Sequence, residues 1–184
     1  LTRRDLACWC GKVLSLAPAA VPAAGILAPL LTRSAPAAEP GHDMSMAPPH
    51  WHGNEQIAML LYPGFTALDL IGPQYMFAAL MGATVHLVAK TRDLVTSDTG
   101  VAVLPTATLA ECPADLTIVF VPGGTRGTLA AMRDEAILAF LADRSRRATY
   151  VTSVCTGSLL LGAAGLLDGY RATSHWLTRP LLPL

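Results

Sequence analysis

The sequence predicts an α/β fold built on a doubly wound, mostly parallel sheet. Short, continuously apolar runs, such as residues 57–62 and 116–121, are typical of strands that are buried on both faces. Segments with helical spacing separate these runs, and strands that alternate with helices imply right-handed βαβ crossovers. A chain of 184 residues, 52% of them hydrophobic, can form one such domain with an ordinary core.

The first half of this domain begins with a strand over residues 57–62, which ends at Pro63-Gly64. We expect a helix over residues 73–81 that begins at Pro73 and is stopped by Gly82. The remaining elements of this half are a strand at 84–89 and a hairpin formed by 94–97 and 101–104 around Asp98-Thr99-Gly100.

The second half begins with the buried strand at residues 116–121. Asp134 is then expected to cap a helix in which Ile137, Phe140 and Leu141 fall on one face. A further buried strand at residues 150–154 leads into a helix at 156–164.

Residues 1–37 are typical of an export signal. Arg3-Arg4, an apolar stretch rich in Ala and Pro over residues 13–31, and Ala35-Pro36-Ala37 follow one another in the order of a twin-arginine signal. A membrane anchor is the alternative, but three prolines interrupt the apolar run, so we expect no stable anchor. Spurious upstream translation is a third alternative, because the chain begins with Leu. The signal predicts a periplasmic or exported protein; otherwise the protein is cytoplasmic.

Residues 38–55 are rich in Pro, Met and His and contain little to bury, which predicts a disordered linker. The side chains in it that could bind a soft metal such as copper are His42, Met44, Met46, His50 and His52. Their spacing matches no defined site, so a plain linker is favoured and no metal is expected.

The charge pattern argues against a nucleic-acid partner for this chain. It has 13 basic and 13 acidic side chains, and no basic run is interleaved with aromatic residues.

Three segments follow strands and should meet at the carboxyl edge of the sheet, where ligands bind in such folds: residues 63–69, residues 122–124 and Cys155. Cys155 lies between a β-branched strand and small residues that begin a helix. Such a turn is the geometry of a nucleophile elbow, and the helix N-terminus favours the thiolate. A buried structural cysteine is the alternative.

Asp69 lies in an otherwise apolar sequence, where a carboxyl group tends to keep its proton and can serve as an acid or base. It could equally be a helix cap before Gly72-Pro73. The N–H groups of Gly123 and Gly124 could hold a developing negative charge, although such a pair is also an ordinary turn. Thr156 adds an N–H and a hydroxyl. His175 either reaches the thiol or packs at a strand end.

These residues resemble the DJ-1/PfpI superfamily. The resemblance is carried by residues 62–73, the turn at 121–124, and residues 151–176, and it covers 56–184. It is strongest to the isonitrile hydratase branch and to the related N-terminal domains of AraC-type regulators. It implies a flavodoxin-like sheet, as in class I glutamine amidotransferases. Family members continue for further strands and a helix, so the resemblance implies a domain that is incomplete at its C-terminus.

The resemblance also implies roles for single residues. Cys155 takes the position of the nucleophile and Asp69 that of the paired carboxylate. The oxyanion-binding positions fall on Gly123, Gly124 and Thr156, and His175 matches a histidine near the thiol in some members. Protease-like members have His where this chain has Thr156, and they and DJ-1 have Glu where it has Asp69. Both differences point to the isonitrile hydratase branch.

The resemblance therefore implies a cysteine-dependent lyase that hydrates an isonitrile to an N-substituted formamide. It needs no cofactor, acts on a small molecule and forms a homodimer. The alternative is a small-molecule-sensing domain like that of AraC-type regulators. That alternative requires a helix-turn-helix region that this sequence does not contain, and an export signal argues against it. A chaperone or glyoxalase-like stress protein is disfavoured by Asp69.

Overall fold

The computed structural model describes residues 53–182. The predicted signal (residues 1–37) and the linker side chains suggested as metal ligands lie outside the described residues. Only the last residues of the predicted linker are described, and they pack with the domain. The Gly53 N–H donates to Met81 O at 2.8 Å, and the Thr84 N–H donates to Glu55 O at 2.8 Å. The ordered domain therefore begins before the predicted boundary at residue 56.

The described residues form a five-stranded parallel sheet and a separate antiparallel pair. The strands are β1 Gln56–Leu60, β2 Thr84–Ala89, β3 Val95–Thr96, β4 Ala102–Val103, β5 Ala107–Thr108, β6 Ile118–Val121 and β7 Tyr150–Ser153. The parallel sheet has the order β5-β2-β1-β6-β7, and β3 pairs with β4 as the predicted hairpin. The predicted α/β class and its strands are confirmed. Strand β5, only two residues long, was not predicted.

Helices cover both faces of this sheet. They are α1 Ala67–Ala78, α2 Arg126–Ala131, α3 Glu135–Ser145 and α4 Gly157–Ala163, and a 3₁₀ turn follows at Arg179–Leu181. Helix α1 packs on β1 and β2, whereas α3 packs on β6 and α4 packs on β6 and β7. The connections from β1 and from β6 run in opposite directions along the sheet, so right-handed crossovers place α1 opposite α3 and α4. No helix within residues 53–182 is long and apolar enough to span a bilayer.

Helix α1 corrects the prediction of a helix at 73–81. It begins at Ala67, and Pro73 lies inside it. Its first turn is held by Asp98 of the hairpin, whose Oδ1 accepts the Ala67 N–H at 3.2 Å and whose Oδ2 accepts the Thr66 hydroxyl at 2.9 Å. Pro73 alone predicted that the helix begins at residue 73. The cap that Asp98 supplies from the hairpin loop stabilises a start at Ala67 instead.

The cap predicted for α3 is confirmed. Asp134 Oδ1 accepts the N–H groups of Ala136 at 3.1 Å and Ile137 at 3.4 Å. Ile137, Phe140 and Leu141 are all buried, as their shared helical face predicted. They join a core centred on β1, in which residues 57–60 are almost fully buried. This core fixes the strand ends from which the site projects.

Candidate active site

The site lies at the carboxyl edge of the sheet, where β1 and β6 are neighbours and their connections diverge. Such a switch point is the usual ligand position in doubly wound folds. Asp69 follows β1, Gly123 follows β6 and Cys155 follows β7. A Cβ atom placed on Gly123 would lie 2.5 Å from Asp69 Oδ2 and 3.1 Å from Cys155 Sγ. The three predicted residues therefore lie together, with the glycine against both the carboxyl group and the thiol.

Cys155 has the sharp, strained turn that its small neighbours predicted. Its φ angle is 54°, a left-handed conformation that costs a non-glycine residue about 1–3 kcal/mol. The Cys155 carbonyl is held by the hydroxyl groups of Ser158 at 3.3 Å and Ser174 at 3.2 Å. A Cβ atom on Gly157 would collide with Val121 O, so only glycine lets α4 start this close to β6.

The pKa of the Cys155 thiol differs from the prediction. Burial raises the pKa of the half-buried Cys155 thiol, the Thr156 backbone N–H opposes that rise, and the charge of Asp69 adds to it. The net direction is upward, so the expectation that the helix N-terminus yields a thiolate is wrong for the free protein. Helix α4 has only seven residues, and its favourable end is outweighed by burial and by the neighbouring carboxylate.

Asp69 lies in the first turn of α1 and is not its cap, because the cap position is Thr66. The alternative role of Asp69 as a helix cap is therefore wrong. Its Oδ2 atom is buried and accepts no N–H or O–H hydrogen bond from the described residues, and the Cys155 thiol contacts the carboxyl group. A buried acceptor without a partner costs about 1–3 kcal/mol, so such an atom points to a function at that position.

The expected oxyanion role of Gly124 and of the Thr156 hydroxyl needs correction. The Gly124 N–H donates to Thr156 Oγ1 at 3.0 Å, and the Thr125 N–H donates to the same atom at 3.2 Å. Thr156 is buried, so its hydroxyl serves the protein interior. The backbone N–H of Thr156 faces the Cys155 sulfur instead. An oxyanion role stays a prediction for the N–H groups of Gly123 and Thr156.

His175 lines the same cleft as Cys155, a space of about 450 Å³. Its ring stacks on Trp176 with ring centroids 3.6 Å apart, and its Nδ1 accepts the Leu177 N–H at 3.3 Å. Nε2 is therefore the ring nitrogen that is left to form a hydrogen bond with a molecule in the cleft. His175 and Cys155 thus line one cleft, and a contact between the ring and the thiol stays a prediction. Within residues 53–182, no group of three or more His, Cys, Asp and Glu side chains is arranged to hold a metal.

Sequence reasoning missed the residues that support the site. Tyr62, Thr128 and Ser174 all form hydrogen bonds that lead to the Cys155 turn, and none stood out in the sequence. Of these three residues, only Tyr62 had a sequence feature that could have identified it. It ends an apolar strand, and a buried tyrosine hydroxyl needs a partner.

The sequence profile of the DJ-1/PfpI family matches residues 55–182. The chain belongs to the DJ-1/PfpI family. Among similar proteins, the isonitrile hydratase of Pseudomonas putida is 51% identical over 128 residues, which are 70% of this chain and 55% of that protein. The HTH-type transcriptional regulator GbdR of Pseudomonas aeruginosa is 31% identical over 135 residues, which are 70% of this chain and 36% of the regulator.

Solved structures of the DJ-1/PfpI family agree with this assignment. The crystal structure of a ThiJ/PfpI family protein from Pseudomonas syringae is 59% identical, with a TM-score of 0.72 over 80% of this chain and 61% of that one. The chain thus spans little more than half the length of the isonitrile hydratase and under two thirds of this structure.

Proposed function

We propose that this DJ-1/PfpI family member is a cysteine-dependent enzyme that hydrates an isonitrile to an N-substituted formamide. The observation that carries the proposal is the contact between the buried Asp69 carboxyl group and the Cys155 thiol, both of which lie against Gly123. The 51% identity to an isonitrile hydratase supports the choice of substrate class.

The terminal carbon of an isonitrile both accepts a nucleophile and takes up a proton. In the first step, the Cys155 sulfur forms a bond to this carbon as its proton passes to the Asp69 carboxylate. Asp69 then delivers that proton to the same carbon, which gives a thioimidate, R–N=CH–S–Cys155. Burial raises the pKa of the Cys155 thiol and so favours its S–H form, and this S–H group beside the Asp69 carboxylate supplies both partners of the addition.

Water completes the reaction without a cofactor in this scheme. Its oxygen bonds to the thioimidate carbon while the nitrogen gains one of its protons, which gives R–NH–CH(OH)–S–Cys155. The C–S bond then breaks as the hydroxyl group becomes the carbonyl, and the hydroxyl proton passes to the sulfur. The products are R–NH–CHO and the regenerated thiol, so the net reaction is the addition of one water. His175 lines the cleft beside the sulfur and is positioned to orient that water.

The test is incubation of the protein with a simple alkyl isonitrile, followed by detection of the formamide by mass spectrometry. Cys155→Ala and Asp69→Asn should each lower turnover by at least about 100-fold. Cys112→Ala is the matched control, because Cys112 is the other free cysteine of the described residues and is buried apart from the site. Turnover that survives in Cys155→Ala would rule out the proposed nucleophile.

A sensing domain is the second candidate, favoured by the similarity to the regulator GbdR. A sensor would bind the isonitrile or a related small molecule without releasing a product. Calorimetric binding that is equal in the wild type and Cys155→Ala, with no formamide from either, would favour this candidate over the enzyme.

We also propose that the protein is a homodimer that pairs through α1. This helix buries Leu70 but exposes several large apolar side chains, namely Leu68, Ile71, Tyr75 and Met76, and Leu80 is exposed just beyond its end. An exposed patch of this kind is typical of an interaction surface. Light scattering of the purified protein tests the assembly.

Export through residues 1–37 also stays a proposal, supported by the order of Arg3-Arg4, the apolar stretch and Ala35-Pro36-Ala37. Fractionation of cells that express the chain tests it. A shortened protein in the periplasm supports export, and Arg3→Lys combined with Arg4→Lys should then retain the protein in the cytoplasm.

A further inference from the structure

A chain of three buried hydroxyl groups ends beside the reactive cysteine. Tyr62 donates its hydroxyl proton to Pro122 O at 2.7 Å. The Tyr62 oxygen lies 3.0 Å from Thr128 Oγ1, and Thr128 Oγ1 lies 2.9 Å from Thr156 Oγ1. All three hydroxyl-bearing residues are 1% exposed or less. Buried hydroxyl groups need partners, and these groups supply them to one another.

Counting protons fixes the direction of each bond in this chain. A carbonyl can only accept, so the single hydroxyl proton of Tyr62 goes to Pro122 O, and the Tyr62 oxygen accepts from Thr128. Thr128 then has no second proton to donate, so its oxygen accepts from Thr156. The Thr156 hydroxyl proton therefore points along the chain towards Thr128.

This direction affects both the glycine turn and the thiol. The Thr156 oxygen keeps its lone pairs for the N–H groups of Gly124 and Thr125, which anchor the turn that carries Gly123. The Thr156 hydroxyl also lies near the Cys155 sulfur, where a donated proton would oppose the rise in the thiol pKa caused by burial. Thr128 and the sulfur thus compete for one proton.

We propose that Tyr62 and Thr128 are positioning residues that direct the Thr156 hydroxyl away from the Cys155 sulfur and hold the glycine turn against it. The inference rests on the proposed function where it concerns turnover. The direction of the hydroxyl is a property of the free protein and can be tested without any substrate.

The test measures alkylation of Cys155 by iodoacetamide against pH in the full chain. Thr128→Val keeps the side-chain shape but removes the acceptor, so the Thr156 proton turns to the sulfur and stabilises the thiolate. We expect the alkylation rate at pH 7 to rise about tenfold and the midpoint of the pH profile to fall. Asp69 and His175, the titratable groups that face the sulfur, are unchanged in this variant.

Three further variants complete the design. Thr128→Ser keeps the acceptor and should return the wild-type profile. Tyr62→Phe removes the group that fixes the direction of the chain, so we expect a smaller rise in rate. Thr152→Val is the matched control, because it loses a bond to Val119 O at 3.3 Å outside the chain.

An unchanged profile in Thr128→Val, or an equal shift in Thr152→Val, overturns the proposal. Should the valine variant fail to fold, Tyr62→Phe decides alone: a faster alkylation supports the proposal and an unchanged one overturns it. If the wild type hydrates isonitriles, Thr128→Val should lower kcat with little change in KM, and Thr128→Ser should restore it. If the wild type does not hydrate isonitriles, the proposed function is wrong. The alkylation profile of Cys155 still tests the proposed roles of Tyr62 and Thr128 in that case.

Discussion

Gly123 offers a sharp test of the site, because a methyl group added to it would press on both the Asp69 carboxyl group and Cys155. In Gly123→Ala, the new methyl group would lie 2.5 Å from Asp69 Oδ2 and 2.8 Å from Cys155 Cβ. The substitution changes neither reactive residue. It acts on the positions of both residues and on the turn that carries the Gly123 N–H.

The size of the effect follows from these distances. Ordinary contact begins at 3.4 Å, so the Asp69 oxygen must retreat by about 0.9 Å from its position at 2.5 Å. Overpacking of this kind costs about 1–3 kcal/mol of folding free energy, reduced here because a carboxylate end can rotate. A displacement near 1 Å between reacting groups costs about 100-fold in rate.

The assay compares kcat/KM for formamide release with the free energy of unfolding in urea. Gly72→Ala is the matched control, because Gly72 lies in the same helix as Asp69 and nothing stands within 4 Å of its new methyl group. We expect this control to stabilise the protein by about 0.5–1 kcal/mol and to leave activity unchanged. If Gly123→Ala keeps activity within a factor of two, proximity of Asp69 and Cys155 is not what the reaction needs.

Three further substitutions test the charge of Asp69, the cap of α1 and the exposed side chain of Leu68. Asp69→Asn removes the negative charge that helps raise the pKa of the Cys155 thiol, so alkylation at pH 7 should become faster even as turnover falls; a slower alkylation would contradict this sign. Asp98→Ala removes the cap of α1 and should cost about 1 kcal/mol in urea unfolding, with no loss expected if the cap is incidental. Leu68→Glu should convert a dimer to a monomer in light scattering, whereas Leu104→Glu, at a similarly exposed site on the hairpin side, should not.

The sheet could be predicted because its strands are short apolar runs, whose burial on both faces is a local property of the sequence. The position of the site followed from the same pattern, since parallel strands bring Asp69, Gly123 and Cys155 to one edge. The start of α1 could not be predicted from local signals. The cap that fixes it comes from Asp98, 31 residues further along the chain.

The properties of the site depend on distances that the sequence does not contain. The helix N-terminus next to Cys155 predicted a thiolate, but burial and the nearness of Asp69 reverse the direction. The hydroxyl chain joins Tyr62 to Thr128 across 66 residues and Thr128 to Thr156 across 28. In the sequence, each of these residues is an ordinary side chain. Their hydrogen bonds to one another form only when the folded chain brings them together.

The raised pKa of the Cys155 thiol and the loss of two expected oxyanion donors both bear on the type of reaction. Acyl transfer by a cysteine benefits from a thiolate and from donors that stabilise an oxyanion. Here burial raises the pKa of the Cys155 thiol, and the Gly124 N–H and the Thr156 hydroxyl are used inside the protein. Addition of S–H to the single carbon of an isonitrile produces no oxyanion, and it needs the proton as much as the sulfur. The raised pKa of the Cys155 thiol and its contact with Asp69 therefore favour this proposed addition over peptide or ester hydrolysis.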